Sequence, residues 1–235
     1  MGIVAVRRSK APRNAEATRA RILNAARVEF VTHGLNGARV DRIAAAAGNN
    51  KNLIYHYFDS KNALYLEVLE SIYSGLQSSQ NDGAIRRLPP LDGLRCLVTN
   101  TFDHFVATPD LIRLMSIENI HYGRHLKQST TVKPLYRPLV KTIEDLLERG
   151  RAEGVFRNDV DAVDLYLSIS GLAYFFLSNQ CTLSWLLGRN FIAPARLAKR
   201  RSHVVDVVLG YLQHGAAGQV QEPRVRVGRG PKHVE

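Results

Sequence analysis

Apolar residues in this chain recur at every third and fourth position, and no stretch sustains the period-two alternation of a half-buried strand. A sheet therefore has no obvious source, and the expectation is an all-α protein. Glycine and proline punctuate the pattern. A first helix is expected from Glu16 to His33, with Ile22, Ala25, Ala26 and Phe30 on one face and Gly34 as its stop. Two short helices, Val40 to Ala47 and Lys51 to Tyr57, flank Gly48-Asn49-Asn50, where Asn is a favoured N-cap. Asp59-Ser60 opens a longer helix with Leu64, Val68 and Ile72 at four-residue spacing, followed by a loop-like stretch from Ser78 to Pro90. Beyond it, helices are expected over about 91–107, 110–123, 135–153, 161–187 and 194–214, separated at Pro109, Pro134, Gly154 and Pro194.

Length permits a small unit joined to a larger one. The 235 residues divide into a basic arm (1–13), a three-helix helix-turn-helix unit (14–60), a larger helical unit for effector binding and dimerisation (61–214, with 61–78 as connecting helix) and a basic tail rich in Gly, Arg and Val (215–235). Formal net charge is +11, which favours polyanionic partners, either nucleic acid or an anionic membrane surface. The longest apolar stretch, Leu167 to Leu177, is too short to span a bilayer and includes Ser168 and Ser170. No secretory pattern follows Arg7-Arg8, and Cys96 and Cys181 form no C-x-x-C pair, so a cytoplasmic protein without disulfides is expected.

Two short helices joined by a tight Gly-containing turn make a helix-turn-helix, whose second helix enters the major groove. Ile43-Ala44-Ala45-Ala46-Ala47-Gly48, then Leu53-Ile54-Tyr55-His56-Tyr57-Phe58-Asp59-Ser60-Lys61 and Leu64, resembles the DNA-binding signature of the TetR family. The resemblance covers about 18–69. It implies a homodimer that binds operator DNA and is released by a small molecule.

Lys51, Asn52, Tyr55 and His56 stand at the start and on one side of the second short helix, where a major-groove helix presents donors and acceptors; Asn50 precedes them. The resemblance implies phosphate contacts by Tyr55 and Lys61. Arg39 stands where the family commonly has Thr or Ser, with a phosphate contact still open to it, and Asn49-Asn50 replaces the usual Val-Ser. Ile43, Tyr57, Phe58 and Leu64 are assigned to packing. Lys51, Asn52 and His56 also admit a simpler reading as a solvated face, and the arm from Arg7 to Arg13 admits either minor-groove entry or nonspecific attraction.

In the larger unit, Phe102, Phe105, Met115, Asn119, Tyr122, Tyr166, Ser170, Tyr174 and Asn179 mix aromatic and polar groups into apolar helices, a composition compatible with an effector cavity as well as with ordinary core packing. Leu165, Leu172, Phe176, Val204, Val208, Tyr211 and Leu212 form the expected dimer face of the last two long helices, although one protomer could bury them internally. Glu118, His121 and His125 share helical offsets of three and four, so a metal site, and with it a remote metal-dependent hydrolase, stays open. No nucleophile elbow or phosphate-binding loop is present, and no catalytic residue or cofactor is expected. The remaining alternatives are activation of transcription, ligand-independent repression and an architectural DNA-binding role.

Overall fold

The computed structural model describes residues 11–79 and 82–214; the basic tail and the first ten residues of the expected arm lie outside them. Every regular element among the described residues is helical. They are α1 (Ala11–Gly37), α2 (Val40–Ala46), α3 (Lys51–Phe58), α4 (Lys61–Ser79), α5 (Asp82–Ile85), α6 (Pro90–Ala107), α7 (Pro109–Ile120), α8 (Val132–Ala152), α9 (Ala162–Ser178), α10 (Gln180–Leu187) and α11 (Pro194–Gln213), with a 3-10 turn at Leu126–Gln128. No helix among the described residues is long and apolar enough to cross a membrane.

Helix α1 begins at Ala11, so it takes in part of the segment expected to be a basic arm. Its regular path breaks at Gly34 (φ 63°, ψ 177°), a backbone conformation open to glycine and costly for residues with a Cβ. Ile22, Ala26 and Phe30 are buried on one side of α1 and meet Ile43, Ile54, Phe58 and Leu64 in the same core. Phe30 also meets Tyr65 of α4 edge to face, with ring centroids 5.0 Å apart. One contiguous apolar core runs from this N-terminal part through α6, α8, α9 and α11. The connecting helix α4 packs against α1, α3, α7 and α8.

Three expectations need correction. Pro134 does not delay α8, which starts at Val132: in a helix's first turn the backbone N–H has no intrahelical partner, so proline costs little there. The expected single helix over 161–187 is broken at Asn179, whose side-chain amide donates to the Phe175 carbonyl (3.0 Å) and whose residue joins α9 to α10. The expected loop between Ser78 and Pro90 contains the short helix α5, and Pro90 already belongs to α6.

Candidate nucleic-acid interface and effector cavity

The turn between α2 and α3 closes by backbone bonds from Ala47 to Ile43 (2.9 Å) and from Asn49 to Ala44 (2.9 Å), with Gly48 at positive φ. Asn50 caps α3: its side-chain oxygen accepts the Leu53 N–H at 2.8 Å, satisfying one of the free donors of the first turn. Ile54 and Phe58 then anchor α3 in the core, which leaves Lys51, Asn52, Tyr55 and His56 exposed. Tyr57 lies half-buried against the core, and Ile43, Phe58 and Leu64 are fully packed. Four of the expected base- and phosphate-contacting side chains thus share one accessible face of a helix held rigidly from behind.

Other expected contacts are partly committed within the protein. The Lys61 ammonium donates to the Ala38 carbonyl (3.1 Å), tying the start of α4 to the α1–α2 turn, while the Ser60 hydroxyl accepts the Ala63 N–H (3.0 Å) as the cap of α4. Lys51 pairs with Asp41 at 3.2 Å. The Arg39 side chain is exposed, and its backbone N–H donates to Glu29 at 2.8 Å.

Sequence reasoning missed the clasp beneath this face. Buried Glu29 of α1 accepts from the Arg42 Nε (2.7 Å) as well as from Arg39, and Arg42 also donates to the Gly37 carbonyl (2.9 Å). Burial pushes the Glu29 carboxyl up, but the Arg42 and Arg39 hydrogen bonds and the charges of Arg42 and His33 outweigh it and hold the group below its ordinary value. Arg19 pairs with Glu67 and lies over the Phe58 ring, and Arg27 pairs with Asp110 (2.7 Å). Much of the N-terminal positive excess therefore fixes helices to one another. The signal for these pairs is long-range in sequence, so spacing could not reveal it.

Glu118 takes a different role from the open metal reading. Its carboxylate is buried and accepts four hydrogen bonds: Tyr65 O–H (3.1 Å) and His125 Nδ1 (2.9 Å) at Oε1, and the backbone N–H groups of His125 (3.2 Å) and Leu126 (3.0 Å) at Oε2. Burial raises its pKa, yet these donors and the His125 charge prevail and lower it. Burial, followed by the Glu118 charge, pushes the Tyr65 phenol well above its ordinary range. His121 is exposed, and no group of three or more His, Cys, Asp or Glu among the described residues is placed to hold a metal ion. Helix α7 stops at Ile120 and the chain turns through Tyr122 and Gly123, both at positive φ, which removes the continuous helical face that the spacing required.

A half-open cavity of about 480 Å³ lies between the end of α1, helices α6 and α7, the α9–α10 junction and the start of α11. Val31, Phe105, Ile112, Leu177 and Leu197 supply apolar wall, and Arg113 is the charged side chain among its lining residues. Of the expected pocket residues, Phe105 lines this cavity. Tyr174 stands behind it through a 2.8 Å hydroxyl contact with Ser116, itself a lining residue. Phe102 is core, Met115 is half-buried against that core, and Tyr166 meets Tyr136 edge to face. Ser170 lies half-buried, its hydroxyl facing Tyr166. Asn119 and Tyr122 are exposed and lie outside the cavity, and Asn179 is spent on the α9–α10 break.

The residues expected at a dimer face are mostly turned into the protomer. Leu165, Phe176, Val204, Val208 and Leu212 are buried within the protomer, and Leu172 is half-buried. Tyr211 alone of that set is exposed, with Leu167 and Phe175 of α9, Trp185 of α10 and Val207 of α11 as its exposed apolar company. On α9 both faces carry apolar residues at helical spacing, so sequence could not tell core from outer side.

Residues 22–68 match the family model described as bacterial regulatory proteins, tetR family, and residues 90–208 match that of the tetracyclin repressor-like C-terminal domain. The HTH-type transcriptional repressor NicS of Pseudomonas putida is 35% identical over 195 residues, covering 83% of this chain and 92% of NicS. The HTH-type transcriptional repressor SCO4008 of Streptomyces coelicolor is 35% identical over 69% of this chain and 80% of its own length. Among solved structures, SCO4942 from Streptomyces coelicolor aligns with a TM-score of 0.63 at 31% identity, covering 83% of this chain and 98% of that one. The ketosteroid transcriptional regulator KstR2 of Mycobacterium tuberculosis shares the fold (TM-score 0.61, 23% identity, 83% and 94% covered). With both halves matched, and with a relative at 35% identity aligned over nine-tenths of its length, the chain belongs to the TetR family of bacterial regulatory proteins.

Proposed function

We propose that this regulator is a cytoplasmic, ligand-released repressor that binds a two-fold symmetric operator as a homodimer. The observation that carries the DNA-binding role is α3: a helix anchored by Ile54 and Phe58 that presents Lys51, Asn52, Tyr55 and His56 outward. Asn52 and His56 are assigned to base edges and Tyr55 and Lys61 to phosphates, with Arg39 beside them. A second copy is the occupant assigned to the outer faces of α9 and α11, because Leu167, Phe175, Val207 and Tyr211 leave apolar surface exposed on adjacent helices. Symmetric pairing of two such helices from each protomer buries that surface in a four-helix arrangement and sets two recognition helices for two half-sites.

Selection of genomic fragments with the purified full chain, together with sedimentation, tests this reading. A dimer enriching one palindromic motif is expected. A monomer that binds a single non-repeated site with full affinity overturns the dimer, and enrichment of bulk DNA without a motif points instead to an architectural role driven by the +11 charge.

A further inference from the structure

The cavity beside α7 has an unusual position: it touches the DNA-binding unit itself. Val31 lies on the last regular turn of α1 before the break at Gly34, and α2 follows within nine residues. The opposite walls come from α7, the α9–α10 junction and the first turn of α11. A molecule lodged there contacts α1 and the C-terminal helices at once. Its volume of about 480 Å³ lies in the range of small-molecule sites.

The chemistry of the lining selects the class of occupant. Arg113 is the charged group among the lining residues, and it has no ion-pair or hydrogen-bond partner among the described residues. Asp110, one helical turn earlier, is already paired with Arg27 at 2.7 Å. A free guanidinium at the edge of an apolar wall matches a carboxylate, which it can hold by two parallel N–H···O bonds. The wall formed by Phe105, Ile112, Leu177 and Leu197 matches an apolar body. One cation suits a monoanion; polyphosphates call for several donors.

We propose that this cavity binds a small organic acid, its carboxylate on Arg113 and its apolar body against Phe105, Ile112, Leu177 and Leu197, and that Val31 makes its occupancy felt by the DNA-binding unit. The proposal rests on the ligand-released reading for its last clause only, because acid binding is measured without DNA. The probes are straight-chain alkanoates from butanoate to dodecanoate, with phenylacetate and 2-naphthoate, each against its neutral carboxamide. Calorimetry on the full chain should show at least one acid bound about ten-fold or more tightly than its amide. Arg113→Gln should abolish that preference, and Arg113→Lys should restore part of it by returning the charge without the planar fork. The circular dichroism melt should stay unchanged in both variants, since the side chain is exposed and unpartnered. Equal binding of acid and amide, unchanged acid preference in Arg113→Gln, or no binding across the panel at millimolar concentration overturns the site. Acid binding that leaves affinity for the selected operator unchanged overturns its role as the effector site while leaving repression standing. Failure to select any operator fails the proposed function independently of the calorimetry.

Discussion

Replacing Glu118 with Gln tests whether the buried carboxylate is a principal tie between the connecting helix α4 and helix α7 behind it. The carboxylate accepts four hydrogen bonds, two at each oxygen, from Tyr65 on α4 and from the turn at His125 and Leu126. A carboxamide has one oxygen. Turned one way, its NH2 faces the two backbone N–H groups; turned the other, it faces the Tyr65 hydroxyl and His125 Nδ1. The first orientation strands both backbone N–H groups; the second leaves the Tyr65 hydroxyl proton without its acceptor and restricts His125 to the tautomer whose Nδ1 accepts, and in either case the bonds that survive lose their ionic assistance. Hydrogen bonds to charged groups contribute about 1.5–3 kcal/mol each, offset in part because the neutral group costs less to bury, so a net loss of about 3 kcal/mol is expected. For a chain of this size that corresponds to about 6–12 °C in Tm. Urea and thermal unfolding at one fixed protein concentration read the change, and Tyr65→Phe, which removes one donor, should cost about half as much or less. The wild-type Glu118 carboxyl lies below its ordinary value of 4.5 when folded, so its contribution is fully present above pH 4.5 and is lost as pH falls through the lower folded pKa; the glutamine variant should lack that acid-side component. A Glu118→Gln protein within about 0.5 kcal/mol of wild type would refute the tie.

Three further outcomes follow from the geometry. Phe175→Asp, on the exposed outer face of α9, should shift sedimentation toward monomer with an unchanged helical spectrum, whereas Val208→Asp, buried within the protomer, should cost about 3 kcal/mol or more of folding stability; dissociation by Val208→Asp with the fold intact would reverse the assignment. Gly150→Ala should destabilise by about 1–3 kcal/mol in urea unfolding, because its Cβ would stand 1.9 Å from the Phe156 ring; an unchanged midpoint would refute that close approach. Lys61→Ala should lower affinity for all DNA sequences alike, reduce the salt slope by about one and cost about 0.5–1.5 kcal/mol of stability through its bond to Ala38, while Asn52→Ala should change base preference and leave stability unaltered; filter binding over a salt series with denaturation separates the two.

The helix-turn-helix was legible because its determinants are local. Gly34, Gly48, Asn50 and Ser60 mark the ends of elements by their own conformational or capping preferences, and Ile54 and Phe58 against Lys51, Asn52, Tyr55 and His56 separate the buried from the outward side of one short helix. The all-helical class was legible for the same reason. The break at Asn179 was not, since neither glycine nor proline stands there and the polar run Ser178-Asn179-Gln180 is equally compatible with a solvated turn of a continuous helix. Nor was the orientation of α9, which carries apolar residues on both sides, so that which side turns inward depends on the helices packed against it. Glu118 was noticed for its spacing to His121 and His125, but the partner that defines its role, Tyr65, is 53 residues away.

Helix α7 is the element on which these long-range contacts converge. Asp110 reaches Arg27 on α1, Glu118 reaches Tyr65 on α4, and Ser116 reaches Tyr174 on α9. Asp110 and Glu118 are eight residues apart, about two turns along the helix, and bind it at two heights, to α1 through Arg27 and to the connecting helix α4 through Tyr65. Ile112, Arg113, Ser116 and Ile117 supply the cavity wall from the same twelve-residue helix. The two ties differ in strength: the Arg27–Asp110 pair is partly exposed and worth at most about 1 kcal/mol, whereas the Glu118 bonds are buried and cannot be exchanged for water without cost. An α7 displaced at its Arg113 end is therefore expected to break the Arg27–Asp110 pair before it breaks the Glu118 bonds.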